Sequence, residues 1–89
     1  MDARSEAVIK FLLKGNTIAF LTTLMERPCT SQELVQLGLR NIPVDTLLVL
    51  GLIEKERRPK EPPLHKLSDR GQRVAQALQA LFETIKDVI

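Results

Sequence analysis

The chain has 89 residues, enough for one small domain and too few for two. An apolar share of 44% excludes a disordered chain, and thirteen Lys and Arg against eleven Asp and Glu leave a formal charge of only +2. Three Phe without Trp or Tyr argue against a base-stacking surface, and one Cys with one His supplies neither a disulfide nor a metal-ligand set.

From the N-terminus, Ala7, Val8, Phe11 and Leu12 mark an amphipathic helix over 3–14, which Ile9 and Leu13 widen enough to predict cover on more than one side. Gly15 as terminator and Asn16 as N-cap separate it from a second helix, Thr17 to Glu26, with Ile18, Leu21, Leu24 and Met25 inward. Neither stretch is a spanning segment. Lys10, Lys14 and the Gly15-Asn16-Thr17 break interrupt the apolar run, and Asp2 and Glu6 spoil a signal peptide's basic start, so a cytoplasmic location is expected.

Thr30-Ser31-Gln32-Glu33 is a capping box opening a short third helix that Gly38 ends. Pro43 begins a fourth, which runs to Leu50 and is ended by Gly51. Leu52 to Glu56 reads as a strand, Arg57 to Pro63 as a Pro-stiffened loop, and Leu64 to Leu67 as the return strand of a hairpin. Ser68 caps a last helix with no breaker between Arg73 and the end of the sequence.

The spacing of Leu21, Leu24, Thr30, Glu33, Leu34, Leu47 and Gly51-Leu52-Ile53-Glu54 is specific when taken together, as is Leu67-Ser68-Asp69-Arg70-Gly71 after the hairpin. On these residues the segment 16–78 resembles the winged helix-turn-helix superfamily, as in arsenic-responsive and multiple-antibiotic-resistance-type repressors. The resemblance implies a single mainly α domain with a small β-hairpin wing. Residues 1–15 form an additional N-terminal helix, 16–67 the helix-turn-helix and wing, and 68–89 a long C-terminal helix. It also implies double-stranded DNA as a partner, often bound by a symmetric dimer in transcription control.

The charge distribution agrees with phosphate contact. Residues 55–73 carry a net +4 and the remainder −2, so the basic edge is local. Lys55, Arg57, Arg58, Lys60 and Lys66 are the candidates for the DNA backbone. The helix expected to enter the groove departs from the family, because Pro43 shortens it and Leu48 and Val49 stand where polar residues are usual. Arg40, Asn41 and Thr46 remain as candidate readers, since Asp45 would repel phosphate. Leu48 and Val49 are either covered by the N-terminal helix, within the subunit or across a dimer, or they dock a protein partner. The second possibility makes the chain an interaction module, an accessory subunit of a replication, repair or transcription complex.

In the last helix Val74, Leu78, Leu81, Ile85 and Val88 are spaced 4, 3, 4, 3, and Ala75, Phe82 and Ile89 form a flanking row. A homodimer through Leu78, Leu81, Phe82, Ile85 and Ile89 is expected, the alternative being cover by the first helix of the same chain. Cys29 reads as buried filler, and His65 either touches phosphate or fills the wing. No nucleophile, base and orienter assemble and no Gly-rich phosphate cradle appears, so neither enzyme activity nor a cofactor is expected.

Overall fold

A computed structural model describes residues 2–14 and 16–88. The elements run α1 (Ala3–Leu12), α2 (Thr17–Glu26), α3 (Ser31–Gln36), α4 (Val44–Val49), β1 (Ile53–Arg58), β2 (Glu61–Leu67) and α5 (Asp69–Val88). The fold is therefore mainly helical with one two-stranded antiparallel hairpin, a small α+β arrangement. No single helix among the described residues is long and apolar enough to cross a membrane.

The helix ends follow local chemistry. Asp2 accepts the Ser5 N–H at 2.7 Å and so starts α1. At α3 both halves of the capping box form: the Thr30 hydroxyl accepts the Glu33 N–H at 3.1 Å, and the Glu33 carboxylate accepts the Thr30 N–H at 2.9 Å. The chain leaves α3 and α4 the same way. Gly38 and Gly51 take φ of 81° and 74°, which favour glycine. Leu39 N–H then reaches back to Leu34 O at 2.9 Å, and Leu52 N–H to Leu47 O at 3.1 Å. Each is a Schellman closure that satisfies the last carbonyls.

The core lies where α2, α3, α4, β1 and α5 meet, and Phe20, Leu21 and Leu47 are its largest fully buried side chains. On α2 the buried set is Thr17, Phe20, Leu21 and Leu24, a strict i, i+3, i+4, i+7 face. Of the predicted face, Leu21 and Leu24 are buried and Met25 packs half-buried on the core, but Phe20 takes the inward place expected for Ile18, because burying the larger side chain gains more apolar area. Thr22 and Thr23 donate to the carbonyls of Ile18 and Ala19 at 3.0 and 2.7 Å, so their hydroxyls are satisfied on a half-buried helix.

Three other expectations change. First, α1 is covered on one side only: Leu12 is its single buried residue, and Ile9 and Leu13 are exposed. Second, Asn16 does not cap α2 with its side chain, which instead donates to Arg40 O at 3.3 Å and ties the α2 start to the α3–α4 connection. Gly15 lies outside the described residues. Third, 57–63 is not a loop. The ladder continues through Arg58 opposite Glu61, and only Pro59 and Lys60 turn. The register shifts between Glu56 and Arg58, so Pro62 and Pro63 occupy a bulge in which no ladder N–H is required. Lys60 accepts a φ of 64° to close the turn.

The hairpin is fastened to α5 by Ser68 and Gly71. The Ser68 hydroxyl accepts the Gly71 N–H at 2.9 Å and donates to Gly51 O, while the Ser68 N–H donates to Leu52 O at 3.1 Å. Gly71 lies so close to the chain that a Cβ there would stand 1.8 Å from Leu52 O. Backbone, not a movable side chain, blocks the space. We predict that Gly71→Ala destabilises the fold by about 3 kcal/mol, the upper range for overpacking a core. Urea unfolding followed by circular dichroism measures this, and a loss below about 0.5 kcal/mol would contradict the contact, being within the range of ordinary surface changes.

Candidate nucleic-acid interface

The hairpin's pleat sorts its charges. Lys55 stands opposite His65, Glu54 opposite Lys66, and Glu56 opposite Leu64. The Lys66 ammonium lies 3.5 Å from the Glu56 carboxylate, a diagonal pair on one face. Arg58 is more firmly held: its guanidinium sits 2.7 Å from Glu61, and its Nε and Nη2 donate to Pro62 O at 3.2 and 2.8 Å. That fork closes the bulge that Pro62 and Pro63 create. Lys55, Arg57 and Lys60 are exposed and make no ion pair among the described residues.

Of the five predicted backbone-contact residues, then, Lys55, Arg57 and Lys60 present their charge outward, while Arg58 and Lys66 are engaged within the hairpin. Lys55, Arg57 and Arg58 come together with Glu61 and Pro63 around a recess of about 380 Å³. The recess is open, and its lining sets Lys55 and Arg57 beside the Arg58–Glu61 pair. Its rim includes Glu61 and Pro63, which sequence reasoning passed over because it placed both in a loop.

The α3–α4 region is differently furnished. Arg40 and Asn41 are exposed and line a hollow of about 210 Å³ with Ser31, Val35, Ile42 and His65. Asn41 has a φ of 60°, a left-handed conformation that asparagine tolerates better than most residues. Thr46 is exposed but lines neither depression. On α4, Leu47 is buried and Leu48 is half-buried against the core, while Val49 is 86% exposed. The two residues paired by the sequence reading therefore separate. Leu48 is held within the subunit, and Val49 is covered by nothing among the described residues. With Asp45, Thr46 and Val49 outward, the exposed face of α4 holds no cation.

His65 does not face solvent. It is 2% exposed, and its backbone pairs with Cys29 through N–H···O bonds of 2.7 and 3.0 Å that tie β2 to the α2–α3 connection. Of its two possible roles, filling the hairpin base is the observed one. Its Nδ1 has no hydrogen-bond partner among the described residues. Burial lowers its pKa, the nearby Cys29 backbone opposes this, and the Lys55 charge adds to the lowering. Cys29 is fully buried beside it, and burial raises its thiol pKa, the opposite of what a reactive cysteine needs.

Among the predicted interface residues of α5, Leu78 is half-buried, Leu81, Phe82 and Ile85 are exposed, and Ile89 lies outside the described residues. Comparison with family models, with curated proteins and with solved structures found no match.

A buried histidine with a lowered pKa has a definite sign. The unfolded chain takes up a proton first as pH falls below 6.5, so the stability present above that value is lost between 6.5 and the lower folded-state pKa. His65 is the only histidine in the chain. We predict that unfolding free energy falls from pH 7.5 to pH 5, by at most about 1.4 kcal/mol per unit for one group. His65→Phe should flatten that profile. An equal slope in the variant would mean that another group titrates.

Proposed function

We propose that the protein binds duplex DNA as a winged helix, with the hairpin as the wing and α3 and α4 as the helix-turn-helix. The observation that carries this reading is the outward set Lys55, Arg57 and Lys60 on a hairpin in which Arg58 pairs with Glu61 and Lys66 with Glu56, so that three free cations face the single free carboxylate of Glu54 among the described residues. Unpaired cations on a projecting edge are what phosphate contact requires. Several features support the fold assignment. The two helices end in glycine closures, and the Cys29–His65 bridge extends the hairpin by one antiparallel pairing. The Ser68–Gly71 lock sets α5 directly behind the hairpin.

The mode of binding follows from α4. Specific reading of a major groove uses side chains that bridge to base edges, Arg, Lys, Asn and Gln above all. The outward residues of α4 are Asp45, Thr46 and Val49, so only Thr46 there, with Arg40 and Asn41 just before the helix, can approach bases. The interaction is therefore mainly electrostatic and weakly dependent on sequence. A role in transcription control and a cytoplasmic location go with this reading. The exposed Val49 favours a second one, in which α4 contacts a protein and the chain acts as an accessory subunit of a nucleic-acid-processing complex.

Lys55→Glu with Arg57→Glu tests the wing. Binding to every duplex should weaken to a similar extent, and the slope of log affinity against log salt should fall by about two units. Fluorescence anisotropy on two unrelated duplexes over a range of salt measures both. Affinity and slope equal to those of the parent chain would refute the assignment. Arg58 is the wrong residue for this purpose, because its reversal would also break the bonds to Glu61 and Pro62.

A further inference from the structure

The connection between α3 and α4 is apolar for a turn. Of its residues 37–43, Leu37, Leu39, Ile42 and Pro43 are apolar, and Arg40 carries the one charge. The connection is also fixed in place. Leu39 N–H donates to Leu34 O at 2.9 Å, the Asn16 amide donates to Arg40 O at 3.3 Å, and Val44 N–H donates to Ile42 O at 2.8 Å. The hollow of about 210 Å³ that it borders is therefore formed in advance, and an occupant meets little ordering cost. Leu34, Val35, Leu39, Ile42 and Val44 give the hollow apolar walls.

Two polar groups of the lining are left unmet among the described residues. His65 is part of the lining, and its Nδ1 has no hydrogen-bond partner. Arg40 is exposed and makes no ion pair: Glu33 of α3 is taken by Arg27 at 3.1 Å, and Asp45 lies outside the lining.

We propose that the hollow receives a tyrosine side chain of a partner protein, presented on a segment with carboxylates beside it. The ring lies against the apolar walls, its hydroxyl serves His65, and a neighbouring carboxylate pairs with Arg40. The hydroxyl follows from the chemistry of a neutral imidazole, in which one nitrogen donates and the other accepts. A hydroxyl does either, so it suits Nδ1 in both tautomers, whereas phenylalanine or leucine would leave that nitrogen unsatisfied. The hollow is too open to enclose a free small molecule, whose sites bury most of the ligand's surface. A side chain held by a larger surface needs no such enclosure. Val35 in the wall and Leu37 two residues on are 47% and 56% exposed and supply apolar contact for that surface. The inference rests on the second reading, protein contact beside α4, and gives that contact a chemistry.

The test is a heteronuclear NMR titration of the isotope-labelled full chain with the synthetic peptide Glu-Glu-Tyr-Glu-Glu. The amides of Val35, Leu39, Asn41 and His65 should shift. The matched peptide with Phe in place of Tyr should bind about fivefold more weakly, the factor that one net hydrogen bond supplies. His65→Phe should abolish this preference, and Arg40→Ala should weaken both peptides alike. Comparing the two peptides on the parent chain needs no variant, so the test holds even where His65→Phe fails to fold. Equal binding of the Tyr and Phe peptides would overturn the proposal, as would the absence of shifts at millimolar peptide. p-Cresol that shifts these amides as strongly as the peptide would assign the hollow to a free phenol and overturn the docking. A DNA duplex that shifts them in preference to the peptide would overturn it in favour of nucleic acid. Shifts confined to Val49 and its neighbours would overturn the hollow while upholding protein contact through α4.

Discussion

The close approach of α5 to the Gly51–Leu52 backbone is the constraint on which the rest of this domain depends. Leu52 O accepts the Ser68 N–H and lies where a Gly71 side chain would have to be. The same two residues, Gly51 and Leu52, also close α4 and lead into β1. One short stretch of backbone therefore sets three directions: where α4 stops, where the hairpin leaves and how α5 crosses behind it. No pair of large side chains could do this, because side chains adjust and a carbonyl against a glycine does not.

That lock explains which parts of the molecule can be read from sequence. Capping signals are local, and each one at α3, Gly38, Gly51 and Ser68 is where the sequence places it. The hairpin tip was not legible, because two consecutive prolines read as the end of a strand unless the opposite strand is known. The register shift between Glu56 and Arg58 removes the conflict, and it is a property of the pair of strands. The face of α2 was misjudged for a related reason. Both Ile18 and Phe20 are apolar, and only the position of the neighbouring elements decides which turns inward.

The candidate site shows the same division. Sequence located the basic edge, since charge counts need no geometry. It could not separate Lys55, Arg57 and Lys60 from Arg58 and Lys66, because the bonds to Glu61, Pro62 and Glu56 depend on cross-strand register. Nor could it divide Leu48 from Val49, which differ only in the direction each takes from a helix of six residues. The consequence for chemistry is concrete. Under the proposed DNA binding, three outward cations would give a contact that responds to salt, and an α4 face of Asp45, Thr46 and Val49 would give little means of distinguishing one base pair from another.

Size makes the exposed seam of α5 a necessity. A chain of 89 residues has a high ratio of surface to volume, and a helix of 20 residues, about 30 Å long, outruns the core available to it. On α5 only Gly71 and Ala75 are buried, both in its first two turns. Were the outer half solvated and unpartnered, polar residues at 81, 85 and 88 would serve the helix as well and keep the surface wet. Leu, Ile and Val stand there instead, at the spacing of a helical seam. Their apolar surface is stabilising only when something removes it from water, and an apolar groove between α1 and α5, beside Leu13 and Leu78, has the complementary chemistry. The lock at Gly71 commits α5 to leave the core at a fixed angle, and the part that leaves carries Leu81, Ile85 and Val88 exposed.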